Sequence, residues 1–303
     1  MKLQVKNRTR LADPAQRAPE TALVCAEVCR KRLQQGLRFA VKNQKQKSAF
    51  IKAVSASAGR VLFLLLALAH SSQAAPVEKT VLSKGTVYQT ACYTLRGAEV
   101  GPTVVVIGGM HGDETAGYLA ARQLVNWRIT KGTLVVIPDG NPPAIKSKTR
   151  EGKGNLNRCF PGRADAKPGT LARAAYELFQ VVEKSRPALL LTLHESRDFH
   201  ANNPARYGQT FTYDFKELWP VMNAALERAN QSIKTPKHKF LHLIRPFETC
   251  PTYQAWARLH VPSTSIETSR TLPLKTRLLY QTLALRAFFD EAGLGYEIPR
   301  GKP

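Results

Sequence analysis

The chain has 303 residues, with 45 Lys and Arg against 22 Asp and Glu, a formal net charge of +23. Apolar residues make up 43%, which supplies a buried core and excludes wholesale disorder. Composition equally excludes collagen-like, coiled-coil and short disulfide-scaffold classes, and no stretch reaches the roughly 18 uncharged apolar residues that span a bilayer.

The first 74 residues read as a leader. They hold 14 basic and 3 acidic groups, whereas the remaining 229 hold 31 and 19, so nearly half of the excess charge lies in a quarter of the chain. That split argues against reading the whole protein as nucleic-acid binding. Lys42, Lys45, Lys47, Lys52 and Arg60 flank the apolar run Val61–Ala69. Small residues at Ser72 and Ala74 then offer a signal-peptidase site, with cleavage expected after Ala74. This is the secretory pattern and predicts an exported, periplasmic or secreted protein with no stable membrane insertion after cleavage. The basic stretch before the apolar run is several times the usual length, so residues 1–40 read either as an extension or as sequence upstream of the true start. Cys25 and Cys29 there lack partner ligands at metal spacing. No Cys sits at the cleavage point for lipid attachment. After cleavage Cys92, Cys159 and Cys250 remain, an odd count that permits at most one internal bridge.

Residues 75–303 alternate strands and helices. Thr103–Gly108 is a short β-branched run ending in Gly-Gly and reads as a buried strand. A helix is expected over 114–127. Thr133–Pro138 is a second buried strand, stopped by Pro138 and the Asp139-Gly140 turn. Residues 140–169 read as a long loop, and loops of that length in compact domains usually carry function. Leu171, Ala174, Ala175, Leu178, Phe179 and Val182 follow helical spacing and place a helix over Thr170–Lys184. Ala188–Leu193 is a third buried strand. A loop over 195–215, a helix over 216–231, a strand over 239–244 and a strand over Val261–Glu267 follow. Thr271-Leu-Pro273 opens the last helix and Gly293 ends it. Buried strands alternating with helices imply a three-layer α/β domain with a mixed, largely parallel sheet and helices on both faces. In such folds the site lies beyond the carboxyl ends of the strands.

Two histidines stand there. Gly108-Gly-Met-His111-Gly-Asp-Glu114 follows the first buried strand, and Leu193-His194-Glu195 ends the third. Two imidazoles and one carboxylate suit a catalytic zinc, with three protein ligands and a fourth position left for water. His111-x-x-Glu114 alone is a weak signal; the second strand-end histidine strengthens it. The long loop carries Arg150 and then Asn155-Leu-Asn157-Arg158-Cys-Phe-Pro-Gly162. A guanidinium clamps a carboxylate through two parallel hydrogen bonds, and the Asn157 amide can orient the same anion. Arg150 taken alone reads as a solvated basic loop residue. Glu267 finishes an apolar strand, either as a functional carboxylate or in a salt bridge to Arg270. Glu195 is expected on the opposite face of its strand from His194. Arg197, His200 and Arg206 lie near the site by position only; His238, His242 and His260 lack partners at useful spacing and read as structural or exposed.

Taken in order, Gly-Gly-Met-His111-Gly-Asp-Glu114, Asn155-Leu-Asn157-Arg158-Cys-Phe-Pro-Gly162, Leu193-His194-Glu195 and Ile266-Glu267-Thr268 resemble the zinc carboxypeptidase superfamily. The Phe-Pro-Gly after Asn-Arg and the short step from Arg150 to Arg158 look closer to its succinylglutamate desuccinylase/aspartoacylase branch, over roughly residues 100–290. The resemblance implies one Zn²⁺ held by His111, Glu114 and His194, with Glu267 as general base and Arg150 polarising the scissile carbonyl. It further implies that Arg158 with Asn157 holds the substrate's terminal carboxylate. Zinc lowers the pKa of bound water from 15.7 to about 7, which makes hydroxide available near neutrality. Two features depart from the branch. Asn155 stands where members often carry an Asp that orients a zinc-bound histidine, and an amide adds no charge to support the imidazole. No residue clearly matches the substrate-capping Tyr, for which Tyr253, Tyr207 and Tyr213 are candidates.

The function expected is therefore an exported zinc hydrolase that cleaves an amide beside a free carboxylate. Its substrate would be a peptide C-terminus, such as a cell-wall peptide, or an N-acyl amino acid. The alternative is a basic polyanion-binding protein or a metal-binding pseudoenzyme. It explains the charge but not the ordered His, Glu, Asn-Arg, His, Glu set.

Overall fold

The computed structural model describes residues 76–299. The leader expected over residues 1–74, with Cys25 and Cys29, lies outside the described residues.

Among the described residues, nine strands form one sheet: β1 (Glu78–Leu82), β2 (Thr90–Arg96), β3 (Glu99–Ile107), β4 (Arg128–Ile137), β5 (Leu189–Ser196), β6 (Thr210–Tyr213), β7 (Leu241–Ile244), β8 (Ser263–Ser269) and β9 (Gly295–Glu297). Their spatial order is β1-β2-β4-β3-β5-β8-β6-β7, with β9 pairing β4. The central run β4-β3-β5-β8 is parallel, and β2 and β6 join it antiparallel on either side. The mixed, largely parallel sheet expected from the sequence is the one observed.

Helices α1 (Thr115–Leu124), α2 (Pro142–Ser147), α3 (Leu171–Ser185), α4 (Trp219–Gln231), α5 (Pro251–Leu259) and α6 (Leu274–Ala292) cover both faces. The period-2 geometry of β3 divides its side chains between two cores. Val104 and Val106 pack with Leu124, Met222 and Phe288 on one face; Val105 and Ile107 pack with Leu178, Phe179 and Ala255 on the other. Both halves of the strand are buried, so its sequence shows an unbroken apolar run and no alternation. Thr170 caps α3 by accepting a hydrogen bond from the Arg173 amide, and Gly293 ends α6 with a positive φ of 76°, as the sequence predicts.

Several boundaries differ from expectation. The third buried strand continues past Leu193 to Ser196, and β8 runs to Ser269, because β5 and β8 stay paired from Leu190↔Ser263 to Ser196↔Ser269. His194 and Glu267 therefore lie within strands and not at their ends. The loop over 140–169 contains α2 and a 3₁₀ turn at Leu156–Arg158, and the loop over 195–215 contains β6. The outer strands β1, β2 and β9 and helix α5 have no counterpart in the sequence reading. Cys92, Cys159 and Cys250 are all free thiols.

Candidate active site

The glycine-rich turn after β3 brings His111 and Glu114 back onto the sheet. Gly109 adopts a positive φ of 68°, open to glycine at little cost. At Gly112 any Cβ would overlap the Ala144 carbonyl at α2, so only glycine lets the two segments touch. Glu114 sits at the N-cap of α1, the first residue outside the helix. His194 approaches from β5, directly paired with Glu267 on β8.

The three groups converge. His111 Nδ1 lies 2.8 Å from Glu114 Oε1, His194 Nδ1 lies 2.8 Å from Glu114 Oε2, and the two Nδ1 atoms are 3.2 Å apart. All three residues are buried, at 2% exposure each. Their candidate ligand atoms lie within 4.8 Å of one another, the separation expected of a metal site. A tetrahedral cation with bonds of about 2.0–2.1 Å sets ligand atoms roughly 3.3 Å apart, close to the spacing observed. With both Nδ1 atoms committed to the centre, each ring would carry its proton on Nε2, and both Nε2 atoms are buried without a partner among the described residues. The residues present thus fit a small divalent cation. Burial pushes the Glu114 carboxyl up, but the charges and hydrogen bonds of His111 and His194 outweigh it and hold the group well below the usual range.

Around this cluster lies a cleft of about 370 Å³. Arg150, Asn157, Arg158 and Glu267 all line it, so the long loop and β8 deliver the residues that the sequence singles out. Arg150 Nη1 donates to Glu114 Oε1 at 2.8 Å, which ties the loop to the cluster. Arg158 lies over the Phe247 ring, 4.1 Å from its centroid, and donates to the Asn157 carbonyl. Asn157 Oδ1 is buried and has no partner among the described residues. Asn155 donates to Glu151 Oε1 at 3.0 Å, and its own Oδ1 is likewise buried and unpaired.

Glu267 makes no salt bridge to Arg270. That guanidinium instead donates to the carbonyl and carboxylate of Asp113, at 3.1 and 2.7 Å. Burial pushes the Glu267 carboxyl up to about 7; nearby His194 lowers it, Glu114 raises it and Arg150 lowers it in turn. A folded-state pKa above the unfolded value stabilises the protein most below about pH 4.5, and this contribution is lost as pH rises through about 7. Metal-free protein should therefore lose thermal stability between pH 5 and 7 more steeply than metal-free Glu267→Gln. Parallel melting curves for the two proteins would count against the shifted carboxyl.

Glu195 faces away from His194, as alternation predicts, but it is not idle. Its carboxylate is buried and accepts from the Ala116 amide at 2.8 Å, from Arg277 at 2.7 and 2.8 Å and from the Thr268 hydroxyl at 3.2 Å. Its amide donates to Glu114 Oε2 at 3.1 Å. Of the loop candidates, Arg197 and Arg206 line the cleft. His200 is turned to the Arg206 carbonyl at 2.8 Å. Among the tyrosines, Tyr207 lines the cleft and carries Arg245 over its ring, Tyr213 is fully buried, and Tyr253 lies tilted against Phe215. Asp214, Arg245, Phe247 and Thr252 also line the cleft and were missed in the sequence. The alternation Thr210-Phe-Thr212-Tyr-Asp214 is the signal that could have found Asp214.

A family model describing the succinylglutamate desuccinylase/aspartoacylase catalytic domain matches residues 100–286. The chain belongs to this family. The His111, Glu114 and His194 cluster sits inside the matched region. A curated relative, N-alpha-acetyl-L-2,4-diaminobutyric acid deacetylase of Halomonas elongata, is 33% identical over 100 residues, 31% of this chain and 28% of that one. Among solved structures, tripeptide-bound Csd4 from Helicobacter pylori superposes with a TM-score of 0.63 at 19% identity, covering 69% of this chain and 57% of the other. A succinylglutamate desuccinylase from Silicibacter superposes with a TM-score of 0.55 at 18% identity, covering 75% and 74%. These superpositions establish the shared fold. The chain spans little more than a quarter of the deacetylase and little more than half of Csd4.

Proposed function

We propose that this protein is a zinc-dependent amide hydrolase acting beside a free carboxylate, on an N-acyl amino acid or a peptide C-terminus. The observation that carries the reading is the meeting of His111, Glu114 and His194 in one buried cluster, with Glu267 paired across from His194 and lining the adjoining cleft. A zinc ion held by those three residues supplies Lewis-acid polarisation and a water of lowered pKa. Glu267 takes a proton from the attacking water and passes it to the leaving nitrogen. Its carboxyl, half-buried and without an ion pair among the described residues, is free to take up and release that proton. Arg150 donates to the oxygen on which charge develops. Arg158, braced on Phe247, and Asn157, donating from its side-chain amide nitrogen, hold and orient the substrate's terminal carboxylate.

The cleft also carries Arg197, Arg206 and Arg245, so its field attracts anionic substrates, an effect that weakens with salt. The printed chemistry of the relatives, deacetylation of an acetylated diamino acid and a bound tripeptide, brackets the two substrate classes. The basic and apolar pattern of residues 1–74 supports export, with the leader removed and the hydrolase working on an envelope peptide or a scavenged acyl amino acid.

Elemental analysis and melting curves test the metal. The purified protein should hold one zinc per chain. Chelation should lower the melting temperature, because a ligand at a hundred times its Kd stabilises by about 2.7 kcal/mol. The reading fails if no divalent cation binds at one per chain and neither N-acyl amino acids nor peptides are cleaved.

A further inference from the structure

Three acids in and beside the cluster are matched to cations: Glu114 to Arg150, Asp113 to Arg270 and Glu195 to Arg277. Two cleft carboxylates have none. Glu267 is the first, and its role as base explains it. Asp214 is the second. It is 7% exposed, lines the cleft and forms no ion pair among the described residues. Removing a carboxylate from water is costly, and burial pushes the Asp214 carboxyl up; the backbone bond from Phe247, the Thr252 and Cys250 side chains and the nearby charge of Arg158 offset that only in part.

Register places this carboxylate on the substrate's side of the sheet. Thr210 pairs with Glu267 and Thr212 with Ser265 across β6 and β8. Thr212, Ser265 and Glu267 line the cleft, and period-2 alternation carries Asp214 to the same face. It stands four residues along from the level of Glu267, roughly 13 Å down the floor. Its Oδ1 accepts from the Phe247 amide at 3.0 Å, and the Phe247 ring is the one beneath Arg158. An anion site and a buried carboxylate are thus set side by side beyond the base.

We propose that Asp214 is a specificity residue that receives the side-chain ammonium of a basic or diamino acid whose carboxylate is held by Arg158 and Asn157. The inference rests on the reading of that pair as the carboxylate site. A bound carboxylate draws on the Arg158 charge that serves Asp214 in the free cleft, so a substrate with an apolar side chain leaves Asp214 short of a cation, whereas a cationic side chain supplies one.

The test compares L-lysine with L-norleucine, which replaces the ammonium by a methyl group, in calorimetric binding to the zinc-supplemented protein. The Nα-acetyl derivatives of both serve for kcat/KM. Lysine should bind about ten- to a hundredfold tighter, the range for a hydrogen bond between charged groups. Asp214→Asn keeps an acceptor for the Phe247 amide and should collapse the ratio, with most of the loss falling on lysine. Asp214→Glu keeps the charge and should retain a preference. Equal binding in the unaltered protein, no binding of lysine at millimolar concentration, or an Asn variant that weakens both ligands by the same factor overturns the proposal. Lysine preference without hydrolysis leaves Asp214 in its role and removes the hydrolase reading. Equal cleavage of both acetyl compounds does the reverse.

Discussion

Glu267→Gln is expected to lower kcat by about 100- to 10,000-fold, the contribution of a positioned general base, and to leave bound zinc at one per chain. Glu267 lies outside the three-residue cluster and forms no side-chain hydrogen bond or ion pair among the described residues, so nothing structural depends on its charge. The Gln side chain is nearly isosteric and removes an unfavourable buried charge, so the variant should fold at least as well as the parent near neutral pH. Its cleft keeps Arg150, Asn157 and Arg158, and substrate affinity should therefore stay within a few-fold. Metal analysis and kinetics on the same preparation decide the matter. Turnover within about tenfold of the parent would remove Glu267 from the reaction, and loss of zinc would make it a ligand. A protein that only binds polyanions would be indifferent to the change.

Arg277→Met carries the largest expected effect on stability. Glu195 has a side chain with no exposure, and both its oxygens accept from Arg277 Nη1. Burial pushes the Glu195 carboxyl up, and the Arg277 bond and charge counter that push. Removing one partner of a buried pair strands the other, at a cost of about 3–5 kcal/mol. For a folded part of this size that corresponds to a fall in melting temperature of roughly 6–20 °C. The consequence reaches the metal centre, because the Glu195 carboxylate pins the Ala116 amide in the first turn of α1, two residues from Glu114. Zinc affinity should fall with stability. Pairing Arg277→Met with Glu195→Gln should recover much of the loss, since the stranded charge is then gone. A melting temperature within about 2 °C of the parent for the single variant would contradict the buried-pair reading.

Much of the site is legible in the sequence because its chemistry is local. His111 and Glu114 stand three residues apart after an apolar run, and Arg150, Asn157 and Arg158 share one loop, so each fragment carries its own signal. The central strands are legible because β3, β4 and β5 are buried on both faces and read as unbroken apolar runs. The edge at β1 is not: that strand is almost wholly exposed and carries no apolar stripe to read. At the opposite edge, β7 falls within the strand expected over 239–244. Helix α5 carries Pro251 in its first turn, a start signal overlooked beside the turn-like Phe-Glu-Thr-Cys that precedes it.

The sequence by itself determined the donor types, the strand-then-turn placement of His111 and Glu114 and the α/β class, because these follow from residue chemistry and short-range periodicity. Only the tertiary structure decided that His194 faces Glu267, that Arg270 serves Asp113 instead of Glu267, and that Asp214 shares the cleft floor. Those facts depend on β5, β8 and β6 lying side by side. Strand adjacency is set by packing two cores against one sheet, and no local pattern in a strand names its neighbour.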